Sequence, residues 1–385
     1  MSTNFYVAIG VKYGKIYLIV CFKGDVMKKY GLVLTGGGAK GSYQLGAWKA
    51  MKELGISFSA VVGVSIGSIN GALIASDSFD EAKALWESAS VDKGVRITEE
   101  LRDPENLFSF RNFPALFKEI VRNGGIDASP TKELIAPFIN EEKVRKSDVR
   151  FGMATFHLSE FTPLEIFLDR IPEGQLVDYL LASSKVPGVS KIGPEGERYL
   201  DGGVYDNAPM NMLIRNGYNR MIVVDISSMK GIGHKNDINC AEMVYIRPYD
   251  VEDLGAAFDF SEDMLEKRMN MGYLDTRKAF GYLSGIRYYF EGDTMRKMAE
   301  EYGADAVEEL EELAHELGIE RFRVYRKDEF LFELKKRFEE YKAQEEAKET
   351  EEEPRFYDNI LKRLTRFKSG KDFSQAFAVL DNIIE

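Results

Sequence analysis

The chain has 385 residues, 44% of them hydrophobic, and carries a formal net charge of −12. This length accommodates one large domain with an appendage, and the negative charge argues against nucleic acid as a main partner, because phosphate binding requires clustered cations. Two cysteines provide no disulfide framework, which predicts a cytoplasmic protein in a reducing compartment. No recognisable zinc motif is present, so no metal or other cofactor is expected.

Residues 1–28 form an N-terminal extension with two open interpretations. The apolar stretch 5–22 is interrupted by two lysines, so it is too broken for a membrane span and lacks the charge order of a signal peptide. One interpretation is a β-hairpin around residues 13–15. The other is a segment upstream of a natural start at Met27.

Residues 29–250 alternate short apolar runs with helical patterns, which predicts the βαβ units of an α/β domain with a parallel or mixed sheet. The predicted strands are 30–34, 60–64, 149–155, 164–168, 221–226 and 243–246. The predicted helices are 42–54, 65–76, 131–138, 175–183 and 209–216.

The character of the sequence changes after residue 250. Residues 251–343 are predicted to be a helical appendage, because apolar residues recur at helical spacing at 307–317 and 331–341. Residues 344–385 are predicted to be a charged linker or helix end followed by amphipathic helices. Within them, the apolar stripe among basic residues at 356–368 has two interpretations, a helix packed on protein and a helix at a membrane interface.

The segment Gly63-Val64-Ser65-Ile66-Gly67 lies between a predicted strand and a predicted helix. Small residues relieve crowding where the chain turns sharply, so the Ser65 hydroxyl is expected at the carboxyl edge of the sheet. The following helix directs its positive N-terminus to the same place, which favours a developing oxyanion. The pattern indicates a serine nucleophile, with a glycine-rich turn and an incidental serine as the alternative.

A glycine triplet, Gly36 to Gly38, follows the first predicted strand of this domain and precedes a helix, where backbone N–H groups are available to an anion. The dinucleotide fingerprint has the same spacing, but it requires an acidic residue about 20 positions later, and residues 56–64 contain none. A P-loop requires Ser or Thr directly after its lysine, whereas Lys40 is followed by Gly41. An oxyanion cradle is therefore favoured, and a nucleotide site remains the alternative.

A third motif begins Asp201-Gly202-Gly203 and continues through Asn207. The aspartate follows a predicted strand, from which it can face Ser65 across the fold. Aspartate is a weak base in water, but beside a serine in a drier site it can accept the hydroxyl proton during attack. A structural Asp-Gly turn is the alternative.

A Ser-Asp-His triad is a further alternative, because the order Ser65, Asp201, His234 matches that of an α/β-hydrolase. Against it, only one helix fits between Gly38 and Ser65, which is less chain than esterases of that fold place there. His234 also lies among lysines and glycines, a composition typical of a mobile surface loop.

The three motifs, in this order, resemble the patatin-like phospholipase family over residues 29–227. The resemblance implies a three-layer α/β/α fold with a mainly parallel central sheet, to which the helical C-terminal region is added. It further implies metal-independent hydrolysis of acyl esters of lipids. It assigns Ser65 as the nucleophile, Asp201 as the base, and the backbone of Gly36, Gly37 and Gly38 as the oxyanion hole. The supporting residues are Lys40, Gly63, Gly67, Gly202, Gly203 and Asn207.

Two positions depart from the family pattern: Thr35 before the triplet, where aspartate is common, and Lys185, where a small residue is common. The expected partner is a phospholipid or another acyl lipid, with peripheral membrane contact as an open possibility. An apolar stretch at 107–117 is either core or an acyl-chain channel or lid. A non-catalytic lipid-binding or regulatory module is the remaining functional alternative.

Overall fold

The structure is a computed structural model that describes residues 5–12, 15–22, 30–90, 129–157, 162–184, 199–201, 203, 206–227, 242–257, 259–351 and 373–383. The chain forms two compact units, one of residues 24–276 and one of residues 1–23 with 277–385. The first unit therefore extends past residue 250, where the sequence suggested a boundary. Several sequence-based predictions lie outside the described residues: the stretch 107–117, Lys185, Gly202, His234 and the stripe 356–368.

Strands and helices are numbered here in chain order. The strands are β1 (Phe5–Lys12), β2 (Lys15–Phe22), β3 (Tyr30–Leu34), β4 (Phe58–Val64), β5 (Arg150–His157), β6 (Thr162–Phe167), β7 (Tyr199–Asp201), β8 (Arg220–Val224), β9 (Glu242–Ile246), β10 (Leu283–Ser284), β11 (Tyr289–Glu291) and β12 (Val324–Tyr325). The helices are α1 (Ser42–Glu53), α2 (Ile66–Ala75), α3 (Phe79–Ser90), α4 (Ser129–Ile135), α5 (Glu141–Arg145), α6 (Leu176–Ser183), α7 (Met210–Ile214), α8 (Glu262–Ala279), α9 (Thr294–Tyr302), α10 (Ala304–Glu316), α11 (Lys327–Glu351) and α12 (Ser374–Asp381).

A seven-stranded sheet organises the unit 24–276. Its order is β6-β5-β4-β3-β8-β9, and β7 pairs with β5. The pairs β3/β4, β3/β8, β4/β5 and β8/β9 are parallel, whereas β6 and β7 run antiparallel to β5. The parallel strands β3, β4 and β8 are buried on both faces over most of their length, and such strands read as continuous apolar runs, which is why the sequence predicted them correctly.

Helices cover both faces of the sheet. Helix α2 packs on one face, where Gly71 approaches Val61 and Phe151. Helix α7 packs on the other face, where Leu213 joins a core cluster with Val62 of β4. Successive strand residues point to opposite faces, so β4 contributes to both cores. The predicted three-layer α/β/α arrangement with a mainly parallel sheet is confirmed.

The other unit combines small sheets with helices. Strands β1 and β2 pair as an antiparallel hairpin, and β10, β11 and β12 form a three-stranded sheet. Helices α10 and α11 contribute the periodic apolar residues to one buried cluster, including Leu310 and Leu334. The buried Glu311 carboxylate accepts hydrogen bonds from the backbone N–H groups of residues 286–288. The small three-stranded sheet was not predicted, because its strands have only two or three residues each.

Candidate active site

Ser65 forms the sharp turn between β4 and α2. Its φ of 54° and ψ of −129° are unusual for a residue with a side chain, and among the described residues only Asp77 shares a positive φ without being glycine. Two glycines make room for this turn. A Cβ on Gly63 would lie 2.2 Å from the carbonyl oxygen of Gly67, and one on Gly67 would lie 2.5 Å from that of Leu34. The turn thus stores local strain at a candidate nucleophile.

Two neighbouring hydroxyls hold the backbone of this turn. The Ser65 N–H donates to Ser183 Oγ at 2.9 Å, and Ser183 Oγ in turn donates to the Ala154 carbonyl of β5 at 2.7 Å. Ser68 Oγ donates to the Ser65 carbonyl at 2.6 Å. Ser183 is completely buried at the end of α6. Sequence reasoning did not assign Ser183 to the site, because a serine at the end of a helical pattern carries no signal of its own.

Strand register brings Asp201 to the same place. Val64, the last residue of β4, pairs with Ala154 of β5, and Asp201 pairs with the next residue, Thr155. The opposite edge of β5 is occupied by β6 along 152–157. Strand β7 therefore lies on the β4 side of β5, directly beyond the point where β4 turns at Ser65.

The Asp201 carboxyl accepts two hydrogen bonds, one from the Ser65 hydroxyl and one from the Gly203 N–H at 2.8 Å. The residue keeps partial solvent exposure, but the carboxyl is enclosed by protein. Burial raises the pKa of Asp201 to about 6, although both hydrogen bonds act in the opposite direction. A carboxyl with this pKa is a stronger base than an ordinary aspartate and is still ionised at neutral pH.

Asn207 connects the third motif to the glycine triplet. The Gly36 N–H donates to Asn207 Oδ1 at 3.0 Å, and Asn207 Nδ2 donates to the Gly36 carbonyl at 3.3 Å. A Cβ on Gly36 would lie 3.0 Å from the Cβ of Ser65. The triplet therefore lies against the serine, but the N–H of its first glycine is already engaged by Asn207.

Gly37 and Gly38 complete the triplet. Within the described part of the chain, their N–H groups have no hydrogen-bond acceptor. Gly38 has a φ of +60°, and a Cβ there would lie 2.3 Å from the Ala257 carbonyl oxygen, so both its conformation and its surroundings require glycine. These two N–H groups are therefore the candidates in the triplet for binding an oxyanion.

Lys40 lies in the 3-10 turn Gly38–Gly41 that leads into α1. Its side chain is buried. Burial and the positive charge of Arg268 lower the pKa of Lys40. Lys40, the basic position of the first motif, is thus packed inside the protein next to the glycine loop.

Buried side-chain amides bind the backbone on either side of the glycine triplet. Gln44 Nε2 donates to the Thr35 carbonyl at 2.7 Å, and Asn70 Nδ2 donates to both Gln44 Oε1 at 2.9 Å and the Gly41 carbonyl at 3.0 Å. Trp86 Nε1 donates to Asn70 Oδ1 at 3.1 Å. Sequence reasoning missed these residues, because each lies within an ordinary helical pattern.

Thr35, which departs from the family pattern, forms hydrogen bonds that stabilise the fold. Its Oγ1 accepts a hydrogen bond from the Ile226 N–H at 2.9 Å and donates to the Asp225 carboxylate at 3.3 Å. The side chain is buried, and it ties the end of β3 to the end of β8.

The structure therefore brings together Ser65, Asp201, Asn207 and the glycines at 36–38, 63, 67 and 203, with Lys40 beneath the loop. Gly202 and His234 lie outside the described residues. Over the described ranges, no group of three or more Asp, Glu, His or Cys side chains could hold a metal ion. No helix in the described part of the chain is long and apolar enough to cross a membrane.

Comparisons with known proteins find related sequences. Residues 32–214 match the family model described as Patatin-like phospholipase. Among curated relatives, the chain is 28% identical over 222 residues to "Lysophospholipase nte1" of Aspergillus niger, a match that covers 54% of this chain and 13% of that protein. It is 25% identical over 205 residues to "Neuropathy target esterase sws" of Drosophila melanogaster, covering 51% and 13%.

The chain thus spans about an eighth of the length of these curated relatives. A solved structure of VipD from Legionella pneumophila is also similar. It has a TM-score of 0.40 and 13% sequence identity, and the match covers 87% of this chain and 84% of that chain.

Proposed function

We propose that residues 32–214, which form a patatin-like phospholipase domain, hydrolyse the carboxylic esters of acyl lipids in the manner of a phospholipase A or a lysophospholipase. The observation that carries this proposal is the strand register that brings Asp201 beside Ser65 at a strained strand–helix turn, where the Ser65 hydroxyl lowers the pKa of the Asp201 carboxyl. The names of the relatives, a lysophospholipase and an esterase, support the same class of reaction.

In the first half of the reaction, Ser65 Oγ attacks the ester carbonyl carbon while its proton passes to the Asp201 carboxylate. The carbonyl oxygen becomes an oxyanion, which accepts hydrogen bonds from the N–H groups of Gly37 and Gly38. When the tetrahedral intermediate collapses, the C–O bond to the alcohol breaks and the alcohol oxygen takes the proton from Asp201. An acyl-Ser65 ester remains.

In the second half, water attacks the acyl-Ser65 carbonyl and gives its proton to Asp201. The same two N–H groups stabilise the second oxyanion. Collapse of this intermediate returns the proton from Asp201 to Ser65 Oγ and releases the fatty acid. The raised pKa of Asp201 supports this cycle, because the group must accept and return a proton near neutral pH.

Acyl lipids are held in bilayers and micelles, so the enzyme has to meet a lipid surface. We therefore include peripheral membrane contact in the proposal. Co-sedimentation with phospholipid vesicles tests this part, with the same protein in the absence of vesicles as the control. Hydrolysis of vesicle lipid without any co-sedimentation would show that stable contact is not required.

The direct test compares hydrolysis of a p-nitrophenyl ester and of a lysophospholipid, with EDTA present, by wild type, Ser65→Ala and Asp201→Asn. Both variants should lose turnover by about 10³-fold or more while they keep the wild-type circular dichroism spectrum. Ser88→Ala is the matched control, because within the described ranges the Ser88 hydroxyl bonds only the Ala84 carbonyl of α3. It should retain full activity.

The other outcomes separate the alternatives. Lipid binding without turnover by wild type would favour a non-catalytic module. Loss of turnover in His234→Ala would favour a triad esterase. Turnover that survives Ser65→Ala would overturn the site.

A further inference from the structure

Arg268, on helix α8, is the largest of the side chains that are completely buried in the described part of this protein. It lies well outside residues 32–214, which match the family model. A buried guanidinium is costly unless each of its donors finds an acceptor. The groups that accept hydrogen bonds from Arg268 therefore indicate which parts of the structure it stabilises.

Four backbone carbonyls accept hydrogen bonds from Arg268. Its Nε donates to Leu254 at 2.7 Å, one terminal nitrogen donates to Ala256 at 3.0 Å, and the other donates to Asp259 at 2.6 Å and to Ala39 at 3.3 Å. Three of these carbonyls belong to the segment 254–259. The fourth belongs to the 3-10 turn Gly38–Gly41, which begins at the last glycine of the triplet.

The same segment also binds the N–H group of Ala39. The Ala39 N–H donates to the Ala257 carbonyl at 2.7 Å. That carbonyl also lies 2.3 Å from the position of a Cβ on Gly38, so it packs directly against the triplet. Ala39 is thus held through its N–H by Ala257, and its carbonyl accepts hydrogen bonds from Arg268 at 3.3 Å and from Ser42 Oγ at 3.1 Å.

Helix α8 offers a rigid base for this contact because it packs very closely on α1. A Cβ on Gly46 would lie 1.8 Å from the Met269 carbonyl oxygen, and one on Gly272 would lie 1.9 Å from the Tyr43 carbonyl oxygen. Tyr43 also donates a hydrogen bond to Asp275 of α8 at 2.7 Å. Arg268 is therefore placed by contacts that do not involve the glycine loop.

The fork shape of the guanidinium matters here. Arginine presents donors in a fixed plane, whereas a lysine ammonium is a single point with three donors. One ammonium cannot reach both ends of the segment 254–259 and Ala39 with the same geometry. The Asp259 carboxylate adds charge compensation: burial lowers the pKa of Arg268, and the negative charge of Asp259 raises it.

We propose that Arg268 is a positioning residue for the oxyanion loop: it clamps the segment 254–259 against Ala39 and so fixes the N–H groups of Gly37 and Gly38 relative to Ser65. The inference rests on the proposed function, because it assigns a role within the same site. It also extends the catalytic apparatus to α8, beyond the residues that match the family model.

The test compares Arg268→Lys and Arg268→Met with wild type. The matched control is Tyr43→Phe, which removes the buried hydrogen bond from Tyr43 of α1 to Asp275 of α8. Active sites are counted by intact mass after reaction with a fluorophosphonate, so that misfolded molecules do not contribute. We expect kcat per active site to fall about 10- to 100-fold in both Arg268 variants, because an oxyanion donor is misplaced. The fall should be smaller for Lys, with KM and the acid limb of the pH profile unchanged.

A purely structural role predicts a different result. In that case the number of active sites and the melting temperature fall, while kcat per active site stays within about twofold of wild type. An equal loss of kcat in Tyr43→Phe at equal destabilisation would also overturn the proposal. If neither Arg268 variant folds, Asp259→Asn serves instead, since it removes the negative charge that compensates Arg268 and retains an amide oxygen that can accept from Ser261. An unchanged kcat per active site in that variant would then overturn the proposal.

Hydrogen exchange separates failure of this inference from failure of the proposed function. The peptide covering residues 36–41 should exchange faster in Arg268→Lys than in wild type or Tyr43→Phe, because the Ala39 N–H loses its fixed partner. This readout does not depend on turnover. Unchanged exchange overturns the positioning role, even if ester hydrolysis by Ser65 is established.

Discussion

The Asn207 side-chain amide and the Gly36 peptide group exchange two hydrogen bonds, of 3.0 and 3.3 Å. This pair joins the segment that carries Asp201 to the loop that approaches Ser65. It also takes the Gly36 N–H out of reach of a substrate oxygen. The oxyanion hole proposed from the sequence, Gly36 to Gly38, is therefore narrowed in our proposal to Gly37 and Gly38.

Asn207→Asp tests this connection with almost no change of shape. A carboxylate can accept from the Gly36 N–H but offers no donor to the Gly36 carbonyl, which would then face a negative charge. We expect kcat to fall about 10- to 100-fold and the free energy of unfolding to fall by about 1–3 kcal/mol. Esterase kinetics and urea unfolding measure both effects, and wild-type kcat in this variant would contradict the connection.

The pH dependence of hydrolysis should report the raised pKa of Asp201, which is about 6. The base acts only when ionised, so kcat/KM should rise tenfold per pH unit below 6 and level off above it. Replacement of Ser65 by alanine removes the hydrogen bond that lowers this pKa, so the carboxyl of Ser65→Ala should titrate at higher pH. Carbon NMR of the labelled carboxyl checks the shift, and a limb near pH 4 would contradict the assignment.

The same pKa makes a prediction about stability. The folded protein holds the Asp201 proton more tightly than the unfolded chain, so ionisation costs stability; the cost is absent below pH 3.8 and complete above about 6. Asp201→Asn removes this cost. Its free energy of unfolding relative to wild type should therefore rise between pH 4 and 7, by about 1–3 kcal/mol. Urea unfolding across this range measures the trend, and a difference independent of pH would contradict it.

Gly38 and Gly55 have similar backbone conformations, but only Gly38 lies in close contact with another residue. Alanine variants of the two therefore separate the cost of a positive φ from the cost of a steric clash. Gly38 has a φ of +60° and lies against the Ala257 carbonyl, whereas Gly55 has a φ of +69° and a Cβ there would meet nothing within 4 Å. Gly55→Ala should lose only about 1–2 kcal/mol of stability and no activity. Gly38→Ala should lose more stability and most of its turnover. Similar losses in the two variants would show that the Ala257 contact is unimportant.

Neighbouring serines at the end of α6 provide another matched pair. Ser183 connects the Ser65 N–H to the Ala154 carbonyl, whereas among the described residues the Ser184 hydroxyl bonds only the Leu180 carbonyl of its own helix. Ser183→Ala leaves two buried groups without a partner and should lose about 1–3 kcal/mol of stability. It should also reduce kcat about 10-fold, because the nucleophile turn loosens. Ser184→Ala should change neither quantity appreciably, and equal effects in the two variants would contradict a specific role for Ser183.

Local patterns were sufficient for much of the first unit. The strands β3, β4 and β8 are continuous apolar runs, and the turn at Ser65 is marked by glycines at 63 and 67 because only they leave room for it. Helix α8 lies within the predicted helical appendage 251–343, but its bounds were not predicted, for an equally local reason. Its buried face contains Arg268, Asp275 and Thr276 beside its apolar residues, so the hydrophobic periodicity that identifies a helix is weak there.

By itself, the sequence determined the chemical groups of this protein: a serine on a tight turn, a glycine loop after a strand, and an aspartate with an asparagine six residues later. Each depends on short-range backbone geometry, which neighbouring residues set. Only the tertiary structure decided which of these groups meet. The contact between Ser65 and Asp201 depends on how β4 and β7 share one edge of β5, and the support of the loop by Asn207, Ser183 and Arg268 depends on packing between segments far apart in the chain. Such contacts leave no period or spacing in the sequence, because many different residues could fill the same positions without altering the local pattern.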